Sequence, residues 1–302
     1  MPDRKMLIIN PHAGSADHLA GLLSHLPDVD VRPTTSMQDA RRAVRDARQQ
    51  GIDTLIAGGG DGTVRTIVDA IASESADLRL GILPLGTANS LCRSLHIPAD
   101  PHLAAIELAR GTTRRMDIVQ MTTPTATLYY ANLAHGGNTQ RVIDSLTDEM
   151  KQRWGPWCYV RGAIGVLTDL QGFHMEIQID DQPVEPFSVW TILLANGRWA
   201  ASTVEAAPDA DLEDGLLELI IIQDGTPLDQ ARLTGEFLLG TYLDDPNVVH
   251  RRVRQVRVVC RDDGRFTADG EVVCAPWITF RVLPQRLRVI VGRGYASGGQ
   301  MR

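Results

Sequence analysis

From Ala57 to Thr63 the chain reads Ala-Gly-Gly-Gly-Asp-Gly-Thr, a glycine run interrupted by one acid. Glycines let a backbone approach a phosphate closely, and a helix that begins beside them offers unpaired N–H groups and a positive dipole end to anionic oxygens. An acid inside such a turn repels phosphate unless it holds Mg²⁺, a water or an active hydroxyl. Asp61 therefore points to phosphoryl transfer rather than simple anion binding. The plainer alternative is a tight strand-to-helix turn with Asp61 as a helix cap. A dinucleotide turn needs G-x-G-x-x-G and a Walker loop needs G-K-[ST], and neither is met here. Two further turns, Asn10-Pro11-His12-Ala13-Gly14 and Leu83-Pro84-Leu85-Gly86-Thr87-Ala88-Asn89, also carry glycine, though each alone is an ordinary structural turn.

The flanking sequence must position these turns. Before residue 120, short apolar runs (Met6 to Ile9, Val29 to Val31, Thr54 to Ala57, Leu80 to Leu85) alternate with helical spacing. That spacing is seen in Leu19, Leu22, Leu23 and Leu26, in Ala40, Ala43, Val44 and Ala47, and in Val64, Ile67, Val68 and Ile71; a further helix is expected from about Asn89. A βαβα alternation implies a parallel sheet with helices on both faces, and the three turns then share its carboxyl edge, where open α/β sheets place ligands. After residue 120 strands dominate: Leu128 to Leu133, Met175 to Ile179, Val189 to Ala195, Leu216 to Ile222, Val256 to Cys260, Ile278 to Val282 and Leu287 to Val291. This half reads as an antiparallel β domain with helical stretches at 157–170 and 228–242. Residues 297–302 read as a loose tail.

Composition narrows the class. A chain of 302 residues with 43% apolar content can bury a full core and suits two domains. The net charge of -7 argues against nucleic-acid binding and against strong attachment to anionic membranes. No apolar run is long enough to span a bilayer and residues 1–10 lack a secretory h-region, so a cytosolic protein is expected. Cys92, Cys158, Cys260 and Cys274 show no ligand or disulfide spacing and read as buried thiols.

The motifs in order, Asn10-Pro11-x-Ala13-Gly14, Gly59-Gly60-Asp61-Gly62-Thr63 and Gly81 to Asn89, resemble the diacylglycerol kinase catalytic domain family, which includes bacterial lipid kinases and sphingosine kinases. Ala207 to Leu217 and Asp269-Gly270-Glu271 extend the resemblance over nearly the whole chain. It implies an ATP-binding α/β domain (1–119), a β-sandwich lipid-binding domain (120–284) and a final segment (285–296) that returns to the first. It places ATP on Asn10, Pro11, His12, Ala13, Gly14, Thr34, Gly59, Gly60, Asp61, Gly62, Thr63, Val64 and Thr87. It also implies a structural Mg²⁺ at Asp211, Asp214 and Leu216, where the alternative is a turn built on Asp214-Gly215. Glu271 is the expected catalytic base and Asp61 the organiser of metal or phosphate; the alternative for Glu271 is a solvated hairpin position. The implied setting is cytoplasmic phospholipid metabolism, peripheral to a membrane that the protein touches transiently; a homodimer is left open. One departure is plain: Arg65-Thr66 stands where the family usually carries Asn-Glu.

Two other classes compete. A kinase acting on the ribose hydroxyl of NAD shares a GGDG turn, but its second motif is unlike Gly81 to Thr87. A non-catalytic nucleotide- or lipid-binding regulator would not need Asp61, Asp214 and Glu271. Several features carry two readings each, the plainer one leading: Arg251, Arg252, Arg254, Arg257 and Arg261 as a solvated strand face before a lipid-headgroup contact, His135 as a hydrogen-bonded loop residue before a cleft-lining one, and Trp154, Trp157 and Tyr159 as core before an acyl-chain tunnel or membrane-facing lip. Asn196-Gly197-Arg198 ends an apolar strand and is a further candidate for the lipid pocket.

Overall fold

A computed structural model describes residues 4–9, 19–139, 172–200, 204–261 and 264–296. The turn 10–14, the helical stretch 157–170, Cys158 and the tail 297–302 lie outside the described residues. In the first half the apolar runs form parallel strands β1 (Lys5–Ile9), β2 (Val29–Pro33), β3 (Thr54–Gly59) and β4 (Arg79–Pro84), in the order β4-β3-β1-β2. All of β3 and most of β1 and β4 are buried, as a parallel sheet covered on both faces requires. The helices are α1 (Leu19–Leu23), α2 (Met37–Gln49), α3 (Asp61–Ser73), α4 (Ser90–Ser94) and α5 (Pro101–Arg110). α2 begins where Ser36 accepts the Asp39 N–H at 3.1 Å, and α5 where Asp100 accepts that of Leu103 at 2.9 Å. The expected stripes are the buried ones, Ala40, Ala43, Val44 and Ala47 on α2 and Val64, Ile67, Val68 and Ile71 on α3. Because β1 lies between β2 and β3, the winding direction reverses beside it. Such a switch point leaves a crevice at the carboxyl ends of the strands.

The second half comprises β5 (Thr112–Thr122), β6 (Thr127–Tyr130), β7 (Leu133–Gly137), β8 (Phe173–Ile179), β9 (Glu185–Ala195), β10 (Trp199–Ala200), β11 (Val204–Glu205) and β12 (Leu217–Gln223). Then follow α6 (Pro227–Leu239), β13 (Val248–Val253), β14 (Gln255–Cys260), β15 (Arg265–Ala268), β16 (Glu271–Cys274) and β17 (Trp277–Val291). The rhythm change near residue 120 falls inside β5, which pairs with β17 along nearly its whole length. The first part of β17 pairs with β14, and its Arg288 and Val289 pair in parallel with β4, so one mixed sheet runs through both halves. The antiparallel strands pack as a sandwich around Tyr130, Phe266 and Phe280, whose rings contact edge-on or tilted.

Three strand expectations change. The runs Ile278 to Val282 and Leu287 to Val291 are one strand, interrupted only by an irregularity between Leu283 and Leu287 where Gln285 has φ 52°. Leu128 to Leu133 is two strands, because the N–H groups of Ala131, Asn132 and Leu133 turn to the Asp269 carboxylate at 3.0, 3.1 and 2.8 Å. β9 carries a bulge: Thr191 pairs with Ile222 but Val189 with Gln223, which leaves Trp190 unmatched. The extra residue reverses the faces of the strand, so Val189, Ile192 and Leu194 face the sandwich core while Leu193 packs on the other side.

Cys92 and Cys260 are buried, but Cys274 is exposed because β16 is the outermost strand of the sheet. The arginines of these strands are paired: Arg252 with the buried Glu218 at 3.1 Å and with Asp214, Arg261 with Glu176, and Arg257 over the Trp277 ring at 4.6 Å. Among the described residues no helix is long and apolar enough to cross a membrane.

Candidate active site

The carboxyl ends of β2, β3 and β4 bring Thr34, Gly59 to Val64 and Thr87 to one edge of the sheet, where the Thr34 N–H donates to Ile9 O at 2.9 Å. The turns after β3 and β4 touch backbone to backbone. A Cβ on Gly86 would lie 2.3 Å from the Gly60 Cα, so only glycine permits this approach. Gly60 precedes α3 without a side-chain cap, which leaves the helix end to other acceptors. Asp61 does not cap its own helix. Its Oδ1 accepts the Ser90 N–H at 2.7 Å and so caps α4, which starts after Asn89 at φ 49°. Burial pushes the Asp61 carboxyl up, partly offset by these N–H groups. The Cys92 thiol, buried beside the Asp61 charge, is pushed up to about 12 and is therefore unreactive.

The opposite wall is the hairpin of β15 and β16. Asp269 at φ 43° and Gly270 at φ 88° form its two-residue loop, with the positive φ values that D-G favours. Asp269 is fully engaged: its carboxylate takes the three N–H groups of residues 131–133, and its own N–H donates to Leu133 O at 2.9 Å. The turn is thus held rigidly and Glu271 projects from its end. Burial, and the charge of Asp61 nearby, push the Asp269 carboxyl up. Arg65, one helical turn into α3, reaches Glu271 at 3.0 Å; its side chain is 12% exposed against 48% for Glu271. The residue that departs from the family pattern therefore touches the expected base.

Asp61, Gly62, Arg65, Asp269 and Glu271 line one end of a single cavity of about 1040 Å³, at the upper end of ordinary ligand pockets. Its far end is lined by Leu193, Trp199, Ile222, Leu233, Phe237 and Tyr242, from β9, β10, β12, α6 and the turn beyond it. His135 lines this cavity from β7, not from a loop. Asn196 instead braces the strands, donating to Asp117 O at 3.0 Å and Ala131 O at 2.7 Å, and neither it nor Gly197 nor Arg198 lines the cavity. Sequence reasoning missed Arg93, stacked over Trp199 at 3.4 Å, and also Trp190 and Gln230, because nothing local marks them as lining residues.

Burial pushes His135 down to about 4. For a base, a folded pKa below the unfolded one means that the folded state resists protonation, so stability is present above about pH 6.5 and is lost as pH falls toward 4. In paired denaturant titrations at pH 7 and pH 4, His135→Gln should lose about 3 kcal/mol less on acidification than the parent chain. Parallel losses in the two proteins would mean that His135 is not buried uncharged.

Asp211, Asp214 and Leu216 lie in the turn before β12. Asp214 Oδ1 accepts the Leu216 N–H at 2.8 Å while its other oxygen meets Arg252, and Asp211 Oδ1 accepts the Glu213 N–H at 3.1 Å. Asp117, which sequence reasoning missed, pins this turn to the β17 irregularity by accepting the Gly215 and Gln285 N–H groups at 2.6 and 2.7 Å. Burial first, and the charge of Asp211 as well, push up both Asp117 and Asp214. Among the described residues no three acid, histidine or cysteine side chains converge as a metal site. A hard cation held at this turn would take the Asp214 carboxylate from Arg252, and its charge would relieve the repulsion among Asp117, Asp211 and Asp214.

Comparison with known proteins places this geometry. Residues 4–121 match the diacylglycerol kinase catalytic domain, and residues 135–291 match the YegS C-terminal NAD kinase beta sandwich-like domain. A probable lipid kinase YegS-like protein of Pectobacterium atrosepticum is 32% identical over 290 residues, covering 92% of this chain and 93% of that protein. A diacylglycerol kinase of Bacillus subtilis is 27% identical over 277 residues, covering 89% of each. In structure, a diacylglycerol kinase from Bacillus anthracis superposes with a TM-score of 0.74 at 18% identity, over 97% of this chain and 98% of that one. An NAD kinase from Archaeoglobus fulgidus in complex with ATP superposes with a TM-score of 0.53 at 12% identity, over 96% of this chain and 94% of that one, a likeness of fold alone. The chain is built as a kinase of the phosphotransferase type. It belongs to the diacylglycerol kinase catalytic domain family.

Proposed function

We propose that this chain is an ATP-dependent lipid kinase that phosphorylates a hydroxyl of a diacylglycerol-like lipid. The observation that carries this reading is the single cavity, which joins the glycine turn and Glu271 at one end to an apolar chamber at the other. An apolar lining suits an acyl chain better than the ribose of NAD, which favours a lipid acceptor over a nucleotide one. The nucleotide occupies the sheet edge at Thr34, Gly59 to Val64 and Thr87, together with Asn10, Pro11, His12, Ala13 and Gly14. Glu271 takes the acceptor proton as the new O–P bond forms, and Asp61 organises the phosphate end. Arg65 holds Glu271 in place and adds positive charge beside the transferred group. Magnesium, when bound with the nucleotide, neutralises phosphate charge. A second, structural cation belongs at Asp211, Asp214 and Leu216. Contact with the bilayer is transient and peripheral. The direct test is a panel of hydroxyl-bearing lipids in mixed micelles with labelled ATP; transfer to none of them would remove the lipid-kinase reading.

A second measurement tests the donor site. Gly62 lines the cavity and a Cβ there meets nothing within 4 Å, so an added side chain takes up open space rather than clashing with the fold. Gly62→Val should therefore fold as well as the parent chain while its affinity for Mg-ATP drops at least about tenfold by calorimetry, since the added group fills ligand space. A folded Gly62→Val that binds Mg-ATP normally would place the nucleotide elsewhere.

A further inference from the structure

We propose that Arg65 changes partners during the reaction: it holds Glu271 while that group is a carboxylate, and passes to the transferred phosphoryl group once Glu271 has taken the acceptor proton, so that it grips the phosphomonoester product. This rests on the lipid-kinase reading and assigns a second role within that site. Arg65 Nη2 lies 3.0 Å from Glu271 Oε2, and both side chains line the cavity. The contact uses one of the five donors of a guanidinium, a group that keeps its charge throughout. Arg65 stands four residues after Asp61, one turn into α3, and helical side chains lean toward the N-terminus of their helix. The guanidinium therefore lies between Glu271 and the uncapped end of α3, where a phosphate meets unpaired N–H groups. Its neighbour Thr66 is spent within the helix, donating its hydroxyl proton to Gly62 O at 2.8 Å.

The charges at this end of the cavity call for such an exchange. Three carboxylates line it, Asp61, Asp269 and Glu271, and the charge of Asp61 is felt at Asp269. A phosphomonoester brings about -1.5 to -2 further charges near pH 7. Arg93, the other arginine among the described lining residues, is stacked on Trp199 at 3.4 Å, which leaves Arg65 to meet the new charge. In the transfer step the acceptor hydroxyl gives its proton to Glu271 and its oxygen forms the new bond to the γ-phosphorus. The bond from that phosphorus to the bridging oxygen breaks, and the bridging oxygen leaves on ADP with the electron pair. Nothing is oxidised or reduced. Glu271 is now a neutral acid and holds a guanidinium weakly, whereas the phosphate beside it accepts charge-assisted hydrogen bonds. Once ADP has gone, Arg65 retains the product. Loss of the Glu271 proton to water restores the carboxylate, which takes Arg65 back and lets the product go.

The test is a double-mutant cycle on the binding of 1,2-dihexanoylglycerol 3-phosphate, a soluble phosphomonoester, to the nucleotide-free chain, read by calorimetry. In Glu271→Gln an uncharged amide stands in for the protonated acid, and affinity should rise at least about fivefold; in Arg65→Gln it should fall at least about tenfold. Simple loss of a negative charge would raise affinity equally in both backgrounds, whereas an exchange of partners needs Arg65. Glu271→Gln should therefore gain less than about twofold when Arg65→Gln is already present. Uncharged 1,2-dihexanoylglycerol should bind the parent chain and Arg65→Gln alike. Equal gains with and without Arg65 overturn the proposal, as does an unchanged affinity for the phosphomonoester in Arg65→Gln. Arg65→Met completes the same cycle should Arg65→Gln fail to fold. No turnover enters these measurements, so the two readings fail separately. A chain that phosphorylates lipids but shows no coupling loses this inference alone; one that phosphorylates none but shows the coupling loses the kinase reading and keeps the exchange of Arg65 between Glu271 and a phosphomonoester.

Discussion

Glu271→Gln should lower kcat at least about a hundredfold and leave Mg-ATP affinity within about twofold. An aliphatic alcohol must shed its proton as the O–P bond forms, and a positioned carboxylate contributes about 10² to 10⁴ to such a step. Glutamine keeps the shape and can still meet Arg65, but it cannot accept that proton. The Arg65 pair sits on a half-exposed carboxylate and contributes less than about 1 kcal/mol to stability, so the melting temperature should hardly move. A fall in kcat with unchanged donor binding is the pattern of an interaction made in the transition state. Stopped assays with the acceptor lipid and calorimetry with Mg-ATP measure the two halves. Near-normal turnover would remove Glu271 from the chemistry and move the base to Asp61.

Asp61→Asn should damage both sides of the reaction, lowering kcat and Mg-ATP affinity each by at least about tenfold, while folding as stably as the parent chain or more so. The Ser90 N–H needs only an acceptor oxygen, which asparagine retains, so the cap on α4 survives. What disappears is a carboxylate that burial already disfavours, so its removal relieves a desolvation cost in the folded protein. A group that destabilises the fold and is kept at a ligand end of the sheet fits a functional role better than a structural one. If Asp61→Asn unfolds at lower denaturant and its residual activity follows only the folded fraction, Asp61 is a structural cap and nothing more.

What could be read from the sequence was local. The spacing of Val64, Ile67, Val68 and Ile71, the apolar runs between the glycine turns and the order of those turns specify a parallel sheet with its ligand edge, because helix and strand periods and glycine chemistry act over a few residues. The motif Asp269-Gly270-Glu271 likewise announces a hairpin with an acid at its end. Residues far apart in the chain were joined only by tertiary structure. Asp61 caps a helix 29 residues away, and Asp269 splits the strand of residues 128–133 from 136–138 positions further along. Arg65 meets Glu271 across the cavity, and Asp117 ties the Asp214 turn to β17. None of these contacts leaves a periodicity, because a carboxylate accepting backbone N–H groups depends on where the strands end in space rather than on its own neighbours. The same holds for Trp190. A bulge in β9 turns it toward the chamber, and that bulge comes from the pairing of β9 with β12, which no window of sequence around residue 190 contains.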